Sequence, residues 1–178
     1  MKRPGFTLVE LLATMAILLV ITVGVIIQFR SLSPTQTLEN AADVLRAGFI
    51  EMRTAVVTSQ TCCGGTLPAG YGLSMTLDGS PDNTIYYFAD MDDDKLYTSS
   101  DTLLRTIVLT DVDVTKCETS AGDVVTAGTC TLQIQPGGFN GIYYNAARLD
   151  AGTVTVTLTH ANGDSTTLTV YGQDYVIE

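Results

Sequence analysis

The chain has 178 residues, enough for one globular domain and an appendage. Apolar residues make up 46% and charged residues 16%, a balance that can bury a core and excludes disorder throughout. Nine Lys and Arg against nineteen Asp and Glu give a net charge of −10, so a broad cationic footprint for nucleic-acid phosphates is absent, and a single His leaves little for His-based catalysis.

The first element is a long apolar segment. Every residue from Phe6 to Phe29 is apolar or uncharged except Glu10, a run of 24 where about 20 suffice to cross a bilayer core. Lys2 and Arg3 precede it and acidic residues dominate after it, which predicts a cytoplasmic amino terminus and an extracytoplasmic head. A cleaved secretory signal fits poorly, because the run is long and Gln28-Phe29-Arg30-Ser31-Leu32-Ser33 offers no small-x-small site. A plain anchor fits poorly too. A carboxylate inside lipid costs at least about 2–3 kcal/mol and asks for a partner.

The sequence Met1-Lys2-Arg3-Pro4-Gly5-Phe6-Thr7-Leu8-Val9-Glu10-Leu11-Leu12 resembles the start of a type IV pilin or type II secretion pseudopilin precursor. It has a short basic leader ending in Gly, then Phe, then an apolar helix with Glu as its fifth residue. The resemblance implies that a prepilin peptidase cuts between Gly5 and Phe6, that the new Phe6 amine is methylated, and that Glu10 serves assembly. The electrostatics agree with that role. Cleavage leaves a positive amine at Phe6 within the apolar layer, and a carboxylate four residues on can neutralise an amine of its own or a neighbouring subunit.

The next segment, residues 31–61, reads as an amphipathic helix. Leu38, Ala41, Ala42, Leu45, Phe49, Met52 and Val56 recur at steps of three and four, with Glu39, Asp43, Arg46 and Arg53 off that stripe. Ser33-Pro34-Thr35-Gln36 carries the signals of a helix start, so the sequence predicts a kink or a break at Pro34.

Residues 62–178 change period and read as a β-rich head. Strands are predicted at Tyr71–Leu77, Thr84–Ala89, Leu104–Val114, Thr129–Gln135, Thr153–His160 and Ser165–Tyr171. Val154, Val156 and Leu158 alternate with threonines, and Asn162-Gly163 is a hairpin signal leading to Leu168 and Val170. The fold class is therefore α+β: a long N-terminal helix, half transmembrane and half amphipathic, laid on a C-terminal antiparallel sheet. The resemblance makes this arrangement pilin-like. It divides the chain into a leader (1–5), an assembly helix (6–30), an amphipathic helix (31–61) and a globular head (62–178).

All four cysteines, Cys62, Cys63, Cys117 and Cys130, fall in the head, and an even number in an exported domain predicts two disulfides. Cys117–Cys130 is the favoured bridge and leaves Cys62 with Cys63, while crossed pairing of Cys62 and Cys63 with Cys117 and Cys130 stays open. Zinc is disfavoured because Cys62 and Cys63 are adjacent.

Asp90-Met91-Asp92-Asp93-Asp94-Lys95-Leu96-Tyr97-Thr98-Ser99-Ser100-Asp101 carries the spacing of an EF-hand-like calcium loop. Its ligands would be Asp90, Asp92, Asp94, the Leu96 carbonyl, Thr98 and Asp101. A hard cation needs six to eight oxygens, and alternate residues of such a loop turn inward. The loop resembles the dockerin type, in which the last ligand can be Asp, although Lys95 stands where Gly usually makes the turn. The competing reading is a solvated acidic turn. Ca2+ is the one cofactor the sequence suggests.

His160 lies beside Asp164 and Ser165, but neighbours in sequence rarely form a triad, and it reads as a turn residue. Tyr86, Tyr87, Tyr143 and Tyr144 read as alternate inner and outer sheet positions. The sequence thus predicts a non-enzymatic structural subunit, a minor pilin or pseudopilin, of a type IV pilus or type II secretion-like filament. Its expected partners are other pilin or pseudopilin subunits, the prepilin peptidase and, before assembly, the cytoplasmic membrane, with the pilus or pseudopilus as destination. The alternative is a filament-borne adhesion or DNA-uptake subunit acting through the head, against which the net charge speaks for nucleic acid.

Overall fold

The computed structural model describes residues 8–77, 83–136, 142–149 and 152–172, and of residues 23–33 the backbone only. The chain forms two compact units, Met1–Gln36 and Thr37–Glu178.

In the first unit the described chain is helical. Helix α1 is Leu8–Val57 and continues from this unit into the second, with Pro34 inside it. The predicted break at Pro34 is not found: the helix runs through it. Proline withholds one N–H from the ladder, but its fixed φ is itself helical, so the turns on either side can propagate. The side chains of 8–22 are all exposed, including Leu11, Leu12, Met15 and Leu18. Among the described residues no helix is long and apolar enough to cross a membrane. The predicted 6–30 span reaches beyond them: residues 6 and 7 and the side chains of 23–30 lie outside the described residues.

In the second unit the rest of α1 joins two antiparallel sheets. The strands are β1 Gly70–Thr76, β2 Thr84–Asp90, β3 Thr102–Val108, β4 Val112–Thr119, β5 Val124–Val125, β6 Thr129–Ile134, β7 Ile142–Tyr144, β8 Ala147–Leu149, β9 Thr153–His160 and β10 Ser165–Tyr171. One sheet has the order β3-β2-β1-β6-β7-β8 and the other β10-β9-β4-β5. Two sheets replace the single one predicted, and the predicted strand Leu104–Val114 is divided between them. Asp111, at φ 58°, turns the chain out of β3 and into β4.

The helix stripe is buried where the periodicity places it: Leu45, Phe49 and Met52 are nearly or fully inaccessible. This face meets the six-stranded sheet at Leu73 and Ile107, which flank Gly48. One apolar cluster contains this stripe, Leu73, Met75, Ile85 and Leu132 from the larger sheet, and Val114, Val156, Leu158 and Leu168 from the smaller. Burial alternates along β9 as Val154, Val156 and Leu158 in, threonines half out. The β9–β10 hairpin closes at Gly163, φ 97°, with His160 N–H donating to the Asp164 carbonyl at 2.8 Å.

Candidate functional site

Two regions carry chemistry, the amino-terminal segment and the acidic loop. Gly5 and Phe6, the predicted cleavage and methylation residues, lie outside the described residues. Glu10 falls in the first turn of α1 and is exposed. A carboxylate there faces the positive end of the helix dipole, a favourable place for an acid.

The acidic loop begins at the last residue of β2 and ends just before β3. Asp90 is fully buried, and its carboxylate organises the turn. Oδ1 accepts the N–H groups of Asp92 (3.2 Å) and Asp93 (2.7 Å), while Oδ2 accepts those of Lys95 (3.2 Å) and the Gln133 side-chain amide (2.7 Å). Carboxylate oxygens of Asp90, Asp92 and Asp94 lie within 4.8 Å of one another. Asp92 and Asp94 are exposed, so solvent reaches the cluster from one side.

The other three predicted ligand residues, Leu96, Thr98 and Asp101, make contacts within the loop. Asp101 serves as a clasp: Oδ1 accepts the Met91 N–H at 3.0 Å and Oδ2 the Thr98 N–H at 2.8 Å. The Thr98 hydroxyl donates to that same Oδ2 and accepts the Ser100 N–H. The Leu96 N–H donates to Asp94 Oδ1 at 2.8 Å. The structure therefore gathers Asp90, Asp92 and Asp94, and leaves Asp101 and Thr98 to close the loop.

Lys95 departs from the usual Gly in residue type only. Its φ of 66° is left-handed, the conformation that Gly adopts freely and that the sharp turn needs. Its ammonium reaches Asp93, at 2.7 Å from the carbonyl and 3.0 Å from Oδ1, and sits 5.4 Å from the Tyr143 ring centre. The hydrogen bond to Asp93 holds the Lys95 ammonium above its ordinary pKa. Gln135 donates to the same Asp93 Oδ1 at 2.6 Å.

What seats the loop is the face of the larger sheet that does not meet the helix. Gly70 pairs with Asp90, and Gly72 with both Phe88 and Gln133, in the strand registers. A Cβ at Gly70 would lie 2.2 Å from Gln133 Nε2, and one at Gly72 2.5 Å from the Phe88 ring. These bare positions let the amide and the ring lie flat on β1. Tyr97 then packs on Phe88 and Tyr86, with ring centres 5.2 Å apart in each pair. Gln133 was the residue that sequence reasoning missed. The available signal was the Gly-x-Gly of β1, which marks a close approach inside a strand.

Of the cysteines, Cys117 and Cys130 form a disulfide and are fully buried. That excludes crossed pairing. Cys62 and Cys63, the predicted second pair, are not bonded here, and their Sγ atoms lie 2.7 Å apart. Cys63, Gly64 and Gly65 take positive φ in a turn closed by Cys62 N–H to Thr66 O. Cys62 lines a cleft of about 280 Å³ with Glu51, Tyr71, Tyr87, Leu104 and Arg105. Burial, then the contact with Cys63, pushes the Cys62 thiol up to about 11. The hydrogen bonds with Cys62 and Thr102 hold exposed Cys63 below its ordinary value.

His160 Nδ1 is engaged by Asn162, 2.9 Å from Oδ1 and 3.1 Å from N, as a hairpin residue. Tyr87 and Tyr144 are buried, whereas Tyr86 and Tyr143 are half-buried on the opposite face.

Residues 1–26 match the family model of the prokaryotic N-terminal methylation motif, the prepilin-type leader of type IV pilins and pseudopilins. No curated protein and no solved structure matches the chain. The leader motif supports a type IV pilin- or pseudopilin-like protein, and in general implies prepilin-peptidase processing and pilin-family assembly.

Proposed function

We propose that this protein is a structural subunit, a minor pilin or pseudopilin, of a type IV pilus or type II secretion-like filament. The prepilin-type leader carries the reading. The peptidase cuts between Gly5 and Phe6, Phe6 is methylated, and the residues that follow hold the protein in the cytoplasmic membrane as a single span until assembly. The exposed apolar side chains of residues 8–22 support this, because an uncovered apolar helix requires lipid or neighbouring helices. The disulfide supports an extracytoplasmic head, since such bonds persist in oxidising compartments. The role is structural rather than enzymatic.

Intact mass of the protein recovered from its native membrane tests the reading. Loss of residues 1–5 with gain of one methyl group is expected. A chain retaining its leader, or cut after residue 30, overturns it.

A further inference from the structure

We infer that the loop of residues 90–101 binds one calcium ion, held by the carboxylates of Asp90, Asp92 and Asp94 with Gln133 Oε1 as a neutral oxygen ligand. The inference goes beyond the filament role and does not depend on it. Two independent observations meet at this place.

The first is electrostatic. Three carboxylates have oxygens within 4.8 Å of one another, close enough to share a cation and close enough to repel strongly without one. Asp90 is fully buried, so its charge is met by the four N–H groups it accepts and not by water. The loop's own ammonium, Lys95, is hydrogen-bonded to Asp93 and acts on Asp90 only through space.

The second comes from β6. Gln133 is fully buried and donates from Nε2 to Asp90 Oδ2 at 2.7 Å, yet its Oε1 has no hydrogen-bond partner among the described residues. Amide bond lengths keep Oε1 within about 5 Å of that same carboxylate oxygen. A buried carbonyl without a donor is costly, and an ion held by Asp90 gives it a partner. Amide oxygens are ordinary calcium ligands.

The donor set also selects the ion. All the donors are hard oxygens, which disfavours zinc and copper. Three carboxylates, one carbonyl and solvent on the open side suit the six to eight loosely arranged oxygens of calcium better than the strict octahedron of magnesium.

The test uses the full-length chain in detergent, stripped with EGTA and titrated with calcium chloride by calorimetry and thermal unfolding. One ion per chain and a raised Tm are expected, with no comparable shift from magnesium chloride. Asp92→Asn and Asp94→Asn, at exposed positions that tolerate exchange, should each weaken binding about tenfold or more. Asp93→Asn, which faces Lys95 and Gln135, should leave the affinity within about twofold. Gln133→Met should weaken binding about tenfold, as expected for loss of one neutral ligand. Absence of heat and of a Tm shift up to about 1 mM calcium overturns the site, that range reaching the affinities of weaker extracellular modules. Equal losses in all three Asp→Asn variants overturn it in favour of diffuse screening. Unchanged affinity in Gln133→Met overturns the amide ligand.

Discussion

Cys117 of β4 and Cys130 of β6 are joined across the two sheets, and among the described residues no strand pairs one sheet with the other. The 13-residue separation holds β5 within the closed loop. Beside this bridge stand the Tyr144 hydroxyl of β7, which donates to the Cys117 carbonyl of β4 at 3.5 Å, and the apolar packing of the shared core. Cross-linking a loop of this size stabilises by about 3 kcal/mol, chiefly by restricting the unfolded chain. The Cys117→Ala, Cys130→Ala double variant should therefore lose about that much in guanidinium unfolding of the full chain in detergent. An unchanged midpoint would mean that the remaining contacts fix the sheets without the bridge.

The helix is held by its buried face and hardly by its ion pair. Met52 is completely inaccessible, and next to it Glu51 meets Arg105 at 2.7 Å with both side chains about half exposed. Met52→Ala should cost about 2–5 kcal/mol, because a cavity opens between α1 and the larger sheet. Glu51→Ala should cost under about 1 kcal/mol, since water already screens the pair. Denaturation midpoints of the two variants, compared directly, check the ranking.

That ranking bears on what the sequence made legible. Spacing of three and four from Leu38 to Val56 specified the buried face, because helical periodicity is local and strong. The Thr-Val alternation of β9 and its Asn162-Gly163 turn were legible for the same reason. Residues Leu109–Asp111 were not, since the β-like pattern continues across them while the chain changes sheet. Asp111 makes that turn at positive φ with no Gly or Pro to announce it. The β7–β8 hairpin was equally hidden: Asn145 and Ala146 both take positive φ, and Ala in place of Gly conceals the turn. At the acidic loop, spacing identified Asp90, Asp92 and Asp94. Gln133, 43 residues away in sequence, reaches Asp90 only through strand pairing. Asp101 has the spacing of a ligand, but it stands outside the group of three carboxylates and clasps the Met91 and Thr98 N–H groups.

The two free thiols should differ in reactivity. Cys63 is exposed and held below its ordinary pKa, while burial raises Cys62 to about 11. Iodoacetamide near neutral pH should thus label Cys63 first, because the thiolate is the nucleophile. Cys62 should catch up only as the pH approaches 11. Linkage has a definite sign here: the folded state retains the Cys62 proton after the unfolded chain has lost it, so stability falls as the pH rises from 9.0 towards 11. Peptide mapping of the unreduced protein over time checks the order, and uptake of two alkyl groups checks the number of free thiols.

Glu10 offers the sharpest separation between anchoring and assembly. It lies in the first turn of α1, four residues after the proposed new amino terminus. Glu10→Gln removes the charge and keeps the shape, so it lowers the cost of residence in lipid. Membrane insertion and leader cleavage should therefore proceed undiminished. Assembly should fall, by about tenfold or more, because pairing a carboxylate with a neighbour's terminal amine in low dielectric is worth several kcal/mol relative to leaving that amine alone. Glu10→Asp, which retains charge but shortens its reach, should fall between the two. The measurement is the ratio of this protein in sheared filaments to that in membranes, with the processed form quantified in both. Equal filament yield for wild type and Glu10→Gln would show that assembly needs only the apolar face of the helix, and Glu10 would then lose its proposed role.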